Sequence, residues 1–219
     1  PEQPSLFESL KHNISQISLS TEDELGPKIS HNGKRIAYQQ GRGKLISADI
    51  DKHGQLSNSK VLLDGWDSPS GVSWSPDDRW LSYSLSDRNF NQEIYIHAAD
   101  NSQAPVNVSM HPRGDISPVW GPDGSKLGFS SMRNNGDYDI WFAWLTKKDW
   151  QRSKEEWRRS EKRDNKKDPL KKKGKKDNDK EESDGKVESD DNDNEKEAET
   201  EVAIMQIDFD GMYKRLQQV

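Results

Sequence analysis

The chain has 219 residues, of which 29% are hydrophobic and 33% charged, with a formal net charge of -6 and no cysteine. The absence of cysteine excludes disulfides, thiolate zinc sites and thiol nucleophiles. No run approaches the roughly 18 apolar residues that a membrane span needs, and no basic-then-apolar signal segment opens the chain. Because the sequence begins at Pro1 without an initiator methionine, we expect it to be a piece of a longer protein.

The composition divides into two regimes. In residues 147–201, 37 of 55 residues are charged, whereas the remaining 164 residues have the apolar fraction of a β-rich domain. Eight tryptophans and 15 glycines also argue against a fully disordered chain. We therefore predict a folded body at 1–146, a charged insert at 147–201 and a resumption of the folded body at 202–219.

Three segments of the sequence, at 29–38, 74–83 and 120–129, align without gaps, and their starts lie 45 and 46 residues apart. Each segment opens on a large apolar residue, continues through a turn and ends an alternating strand on an aromatic residue. A period of this length suits four short strands and their turns, which is one blade of a β-propeller.

The predicted elements follow the same order in each repeat. The turn is followed by a strand with one apolar face, formed by Ile36 and Tyr38 in the first copy. A further apolar strand follows at 45–50, 93–98 and 139–145, and a fourth strand is predicted at 61–63 and 105–108. The fold class is accordingly all-β, a partial propeller of about three four-stranded blades; a two-layer sandwich is the alternative. Three blades cannot close a ring, so an unsatisfied edge or further blades are expected.

The charged insert has a basic half and an acidic half. Residues 147–176 contain 15 basic and six acidic side chains, and residues 177–201 contain three basic and 13 acidic ones. A solvated helix is predicted over 148–167, with Trp150 and Trp157 on one face, followed by disorder. The run KKKGKK at 171–176 could bind nucleic acid or a membrane, but the neighbouring acidic half competes with phosphate, so we expect neither partner. After the insert, a β-hairpin around Asp210-Gly211 is predicted.

The sequence contains no convincing catalytic, cofactor or metal site. GVSWS at 71–75 lacks the closing glycine of a nucleophile elbow. Asp137 and Asp139 supply too few carboxylates for a calcium loop. The remaining candidate groups are typical of turns or single loops, and they are the histidines His12, His31, His53, His97 and His111, the segment 208–211, and the trio His111, Asp115 and Ser117. We predict structural roles for all of them, and neither catalytic, cofactor-binding nor metal-binding residues.

The repeats invite comparison with known families. WSPD at 74–77, WGPDG at 120–124 and NGDYDIW at 135–141 resemble the propeller repeats of the Tol-system periplasmic protein and of tricorn-type proteases. Three further features resemble the tricorn-type serine peptidases: PVNVS at 105–109 with HP at 111–112, the insert opening with KDW at 148–150, and IDFDG at 207–211 followed by YKRL at 213–216. Asp78 departs from the usual turn glycine, and His31-Asn32 replaces Pro-Asp.

This resemblance implies a function. In tricorn-type serine proteases the propellers precede a PDZ-like module and a serine-containing catalytic domain, and they filter or channel peptide substrates. None of the family's catalytic positions matches this chain, so the implied role is non-catalytic, with peptide or protein substrates and the rest of the parent polypeptide as partners and a homo-oligomer possible through that parent. The implied compartment is the cytoplasm. The alternative is a Tol-type scaffold that binds protein partners, in the periplasm.

Overall fold

The computed structural model describes residues 16–152, 156, 159 and 204–219, and it confirms the predicted all-β propeller architecture. Twelve strands form three antiparallel sheets of four strands each, and every sheet is a simple meander in chain order. The first strand of each sheet contacts the first strand of the next sheet. The first strand is therefore the inner strand of each blade, and the fourth strand forms the outer edge.

The strand bounds follow the repeat closely. Blade 1 contains β1 (Glu24–Ile29), β2 (Arg35–Gln40), β3 (Lys44–Ile50) and β4 (Leu56–Asp64). Blade 2 contains β5 (Ser70–Trp74), β6 (Trp80–Ser86), β7 (Gln92–Ala98) and β8 (Val106–Asn107). Blade 3 contains β9 (Asp115–Trp120), β10 (Lys126–Ser131), β11 (Asp139–Trp144) and β12 (Leu216–Gln218).

A bulge recurs in the inner strand of every blade. The register of β1 with β2, of β5 with β6 and of β9 with β10 shifts at Gly26, Gly71 and Ser117, whose φ angles are 61°, 64° and 57°. A Cβ atom on Gly71 would lie 3.1 Å from Cδ of Pro118, so glycine is also required there by the close approach of the next blade.

The blades are held together by two apolar layers. The first layer joins blade 1 to blade 2, with Leu45 and Leu62 packed against Trp74 and Leu81. The second joins blade 2 to blade 3, and its members are Ile94, Ile96, Val108, Trp120, Leu127, Phe129, Ala143, Leu145 and Met212. Because each blade buries one apolar face against its neighbour, the core of the molecule lies between blades.

A tryptophan hydrogen bond crosses each interface at the same place. Nε1 of Trp74 donates to the carbonyl oxygen of Lys28 at 2.8 Å, and Nε1 of Trp120 donates to that of Ser73 at 3.2 Å. Lys28 and Ser73 occupy equivalent positions, one residue before the end of their inner strands. The tryptophan that opens the second and the third repeat therefore fixes the position of its blade on the preceding one.

Asp78 explains the departure of the second repeat from the turn glycine. It adopts a left-handed conformation with φ 56° and is almost completely buried. Its carboxylate accepts hydrogen bonds from the backbone N–H groups of His31 (2.7 Å) and Asn32 (2.9 Å) in the preceding blade. Nδ1 of His31 lies 3.0 Å from the same carboxylate. Asp78 thus adopts a conformation that glycine would reach with less strain, but its carboxylate adds a second polar contact between the blades.

The insert leaves and re-enters blade 3 between β11 and β12. The short helix α1 (Lys147–Gln151) begins it, at the start of the predicted helix; nearly all of the rest, including the predicted disordered part, lies outside the described residues. No helix of the described residues is long and apolar enough to cross a bilayer.

The predicted hairpin after the insert is wrong. Residues 204–209 pair in no sheet, Gly211 leads into a 3-10 helix (Met212–Lys214), and β12 alone returns to the sheet. The extended segment is instead held by the buried Arg215, whose guanidinium donates to the carbonyl oxygens of Asp208, Asp210 (2.9 Å) and Trp144 (3.1 Å). The guanidinium of Arg215 thus binds three backbone carbonyl groups, in place of the hydrogen bonds between strands that a hairpin would have formed.

The tryptophan bonds generate a first prediction. Trp74→Phe or Trp120→Phe removes the cross-blade donor and leaves space where part of the buried indole lay, so each should lower the free energy of unfolding by about 1–3 kcal/mol in urea titrations. Trp150→Phe, at a half-exposed position on α1, is the control and should change it by less than about 0.5 kcal/mol. Equal effects at the three positions would contradict the cross-blade role.

Asp78→Gly gives a second prediction. Glycine relieves about 1 kcal/mol of left-handed strain, but the change removes two hydrogen bonds to a carboxylate, each of about 1.5–3 kcal/mol. We expect a net destabilisation of roughly 2–5 kcal/mol by the same measurement. Asn135→Gly, at another left-handed position with φ 51° on an exposed loop, should be neutral or slightly stabilising. If Asp78→Gly also stabilises the protein, the proposed cross-blade bond contributes nothing.

Candidate functional site

The two ends of the blades differ in what they present. One end contains the repeated turns at 30–34, 75–79 and 121–125 together with the insert, and we call it the turn end. The opposite end contains the connections between blades and the loops between the second and third strands, and we call it the connector-loop end. Its segments are 41–43, 65–69, 87–91, 108–114 and 132–138.

Large apolar side chains are exposed at the connector-loop end. Phe90 is 77% exposed, Met110 54%, Tyr138 51% and Trp66 50%. The rings of Trp66 and Phe90 meet edge to face with centroids 5.3 Å apart. Exposed apolar side chains that cluster on loops are a common property of binding surfaces, so this end is the candidate functional site.

The loop that carries Phe90 is rigidly constructed. One carboxylate oxygen of Asp87 accepts hydrogen bonds from the backbone N–H groups of Asn89 (2.7 Å) and Asn91 (2.9 Å). The backbone of Asp87 also exchanges hydrogen bonds with Phe90 and Asn91. Phe90 itself has φ 64°, an unfavourable conformation for a bulky side chain. A strained, exposed aromatic residue on a fixed loop is typical of a contact site.

Met110 is presented in a similar way from the next connection. It has φ 43°, and its backbone N–H donates to Oδ1 of Asn107 at 3.0 Å. The adjacent residues are tied to the buried carboxylate of Glu93, which accepts from Oγ of Ser109 at 2.5 Å and from the backbone N–H of His111 at 3.0 Å. Glu93 therefore fixes the loop that exposes Met110.

The electrostatics of this end are set by burial. Desolvation raises the pKa of Glu93, although the hydrogen bonds from Ser109 and His111 oppose the effect. Nearby Asp115 is fully buried, and one of its carboxylate oxygens lies 3.1 Å from Nη2 of Arg133. The guanidinium of Arg133 stacks 4.9 Å from the ring centre of Trp141. Burial and the charge of Arg133 together lower the pKa of His111.

The sequence candidates for chemistry are not assembled into a site. Within the described residues, no hydrogen bond joins His111, Asp115 and Ser117: Asp115 pairs with Arg133, and Ser117 is the exposed residue of the β9 bulge. In that same part of the chain, no three His, Cys, Asp or Glu side chains gather in a way that could hold a metal ion. Asp137 lies in a turn closed by the carbonyl of Asn134.

The remaining candidates among the described residues occupy structural positions, and His12 lies outside those residues. Ser73 and Ser75, from the GVSWS segment, lie in β5 and in the turn that follows it. His97 is fully buried between the hydroxyl of Tyr83 and the amide of Asn101. In the segment 208–211, Asp208 accepts from the backbone N–H of Lys147 (2.8 Å) and Asp210 pairs with the Lys147 ammonium (2.9 Å).

The exposed apolar residues were absent from the sequence prediction. Their signal is a bulky residue inside a polar or glycine-rich loop, as in DRNFN at 87–91 and GWD at 65–67. Such a residue has no apolar partner at the strand period, so the pattern that locates strands does not detect it.

Comparisons with known proteins identify the type of propeller. No family model matches the chain. Over 128 residues it is 30% identical to a TolB homolog of Chlorobium luteolum. The alignment covers 55% of this chain and 27% of that protein. It superposes on the tricorn protease with a TM-score of 0.54 and 12% identity, covering 90% of this chain and 17% of the protease. The fold is that of the Tol- and tricorn-type propellers.

A TolB structure from Agrobacterium tumefaciens is also similar, with 25% identity, a TM-score of 0.43 and coverage of 56% of this chain and 46% of that one. The chain thus spans about a quarter of the curated relative that it matches and about a sixth of the tricorn protease. The resemblance found in the sequence is confirmed at the level of the fold.

The buried Glu93 supports a prediction of pH dependence. Its pKa is raised on folding, so its contribution to stability is present at low pH and is lost as the pH rises through the raised value. The free energy of unfolding of the wild type minus that of Glu93→Gln should therefore fall as the pH rises from about 4 to about 7.

Asp87→Asn provides the opposite control for that measurement. Desolvation of Asp87 would raise its pKa, but the hydrogen bonds from Asn91 and Asn89 outweigh it and lower the pKa. The free energy of unfolding of the wild type minus that of Asp87→Asn should therefore rise as the pH increases through about 4. Slopes of the same sign for the two variants would show that Glu93 does not titrate as a buried group.

Proposed function

We propose that the chain is a non-catalytic propeller segment of a tricorn-like serine protease and that its connector-loop end admits peptide substrates to a catalytic domain beyond this chain. The observation that carries the proposal is the set of exposed apolar side chains held on fixed loops at that end. The tricorn-type fold supports the protease context. The proposed compartment is the cytoplasm, as for the tricorn-type proteases that the sequence resembles.

The chemistry of the connector-loop end suits unfolded chains better than folded ones. Unfolded peptides expose the apolar side chains that folded proteins bury. Phe90 and Met110 are both held in left-handed conformations by hydrogen bonds of their backbone N–H groups, to the carbonyl oxygen of Asp87 and to Oδ1 of Asn107, so little backbone entropy is lost when they are covered. The chain enters the charged insert after β11, at the turn end.

A second function is a Tol-type scaffold, and the 30% identity to a TolB homolog favours it. Such a scaffold would bind a folded partner in the periplasm and would not act on peptides. The two functions differ in the class of ligand, because a scaffold has no reason to prefer unfolded polypeptides.

Binding of an unfolded polypeptide tests the proposal. A fluorescein-labelled, reduced and carboxymethylated protein should bind the chain in an anisotropy titration, and Phe90→Ala with Met110→Ala should weaken binding by about tenfold or more. Tyr213→Ala, another exposed aromatic position but at the turn end, is the matched control and should leave the affinity unchanged. Loss of affinity in the control alone would place the peptide elsewhere.

The non-catalytic part of the proposal has its own test. The isolated chain should leave the labelled polypeptide uncut and should not react with a fluorophosphonate probe for activated serines, because the proposed catalytic domain lies outside this chain. Labelling of any serine in this chain would overturn that part, and selective binding of a folded partner with no affinity for unfolded chains would favour the scaffold.

A further inference from the structure

A small cavity opens at the connector-loop end between blades 1 and 2. Its volume is about 130 Å³, and we call it the interblade pocket. Leu63 of β4 and Leu85 of β6 form its apolar walls, and Trp66 stands at its side. A space of this size accommodates one side chain, whereas pockets for whole small molecules are several times larger.

The base of the interblade pocket is fixed by two glycines. The backbone N–H of Gly65 donates to the carbonyl oxygen of Gly43 at 3.1 Å. A Cβ atom on Gly43 would lie 2.1 Å from the carbonyl oxygen of Gly65, so only glycine fits at that position. A Cβ atom on Gly65, in contrast, would meet nothing within 4 Å. The pocket is therefore already open in this structure, and it lies next to a close contact between the backbones of Gly43 and Gly65.

An aromatic wall extends the pocket toward solvent. Trp66 contacts the strained, exposed Phe90 edge to face. The backbone of Trp66 is held in turn by Nε of Arg42, which donates to its carbonyl oxygen at 3.2 Å. An apolar group that enters the pocket would thus cover ring surface that water now contacts, which is favourable by about 25 cal/mol per Å².

The polar groups of the pocket are acidic. Asp64 and Asp67 line it, and no basic residue is among its lining residues. The hydrogen bonds from Ser86 lower the pKa of Asp67, and the charge of Arg42 acts in the same direction. Lys44, which lies opposite Asp64 on β3, has its ammonium 3.0 Å from Glu22 and is also influenced by the charge of Asp64. The apolar space is thus accompanied by negative charge.

We propose that the interblade pocket binds one large apolar side chain of a peptide in which the next residue is lysine or arginine. The apolar side chain fills the space between Leu63, Leu85 and Trp66, and the neighbouring cation lies against Asp64 and Asp67. This inference rests on the proposed function, since it names the class of peptide that the connector-loop end selects. The occupant is an unfolded peptide, because its flexible backbone can bring the side chains of two adjacent residues to one pocket, whereas successive side chains of an extended strand point to opposite faces.

The test compares short blocked peptides that differ in one feature. Acetyl-Phe-Lys-amide should bind about five times more tightly than acetyl-Phe-Glu-amide, the difference expected for weak, solvent-accessible ion pairs. It should bind at least about tenfold more tightly than acetyl-Gly-Lys-amide, which has no side chain to bury. Chemical-shift titrations of the ¹⁵N-labelled chain measure all three affinities and report whether the Trp66 indole responds.

Three variants locate the binding. Gly65→Leu should fill the pocket without removing any contact, and it should weaken acetyl-Phe-Lys-amide by at least about tenfold. Asp64→Asn with Asp67→Asn keeps the shape of the pocket and should abolish the preference for lysine over glutamate. Trp150→Ala, an aromatic position of similar exposure at the turn end, is the control and should change neither. A retained thermal transition shows that each variant is folded.

The outcomes separate this inference from the proposed function. The inference is overturned if the glutamate peptide binds as tightly as the lysine peptide, or if Gly65→Leu leaves the affinity unchanged. If that happens while the unfolded polypeptide still binds in a manner that depends on Phe90 and Met110, only the pocket is wrong. If the unfolded polypeptide fails to bind as well, the proposed function fails with it.

Discussion

The structure depends on the burial of one apolar blade face against the next. Leu45 of blade 1 and Ile94 of blade 2, at equivalent places in the repeat, are completely buried, whereas the corresponding Ile140 of blade 3 is 57% exposed. A single four-stranded sheet has little core of its own, so its stability comes from its neighbours. The indole donors of Trp74 and Trp120 and the carboxylate of Asp78 add direction to this packing, because each reaches a defined backbone group across the interface.

The same stacking determines where a ligand can be held. Strand direction brings every connection between blades to one end of the sheets, and the buried carboxylate of Glu93 and the turn-forming carboxylate of Asp87 then stiffen two of the loops there. Binding surfaces on loops usually lose affinity to the entropy of ordering them. Here hydrogen bonds within the scaffold already order the loops, so apolar side chains can remain exposed in defined positions.

The sequence predicts the repetitive part of the fold well. Strand alternation, the turn residues and the period of 45 to 46 residues are local features, and they correctly placed the second and third strands of all three blades and the fourth strands of blades 1 and 2. The hairpin after the insert was wrong because Arg215 gathers carbonyl groups from distant segments, which no local pattern reveals. Asp78 looked like a poor turn residue for the same reason. Trp66 and Phe90 escaped detection because their pairing depends on the juxtaposition of two loops that are 24 residues apart.

The contact that holds the two ends of the insert together has a consequence for evolution. Lys147 is bound through its backbone and its ammonium to Asp208 and Asp210, so the two ends of a segment of some sixty residues are fastened at the outer margin of blade 3. Whatever lies beyond that clasp can change in length, charge or identity with little mechanical effect on the blades. The position is a natural insertion site for foreign domains, both for evolution and for a protein engineer who wishes to add a reporter far from the connector-loop end.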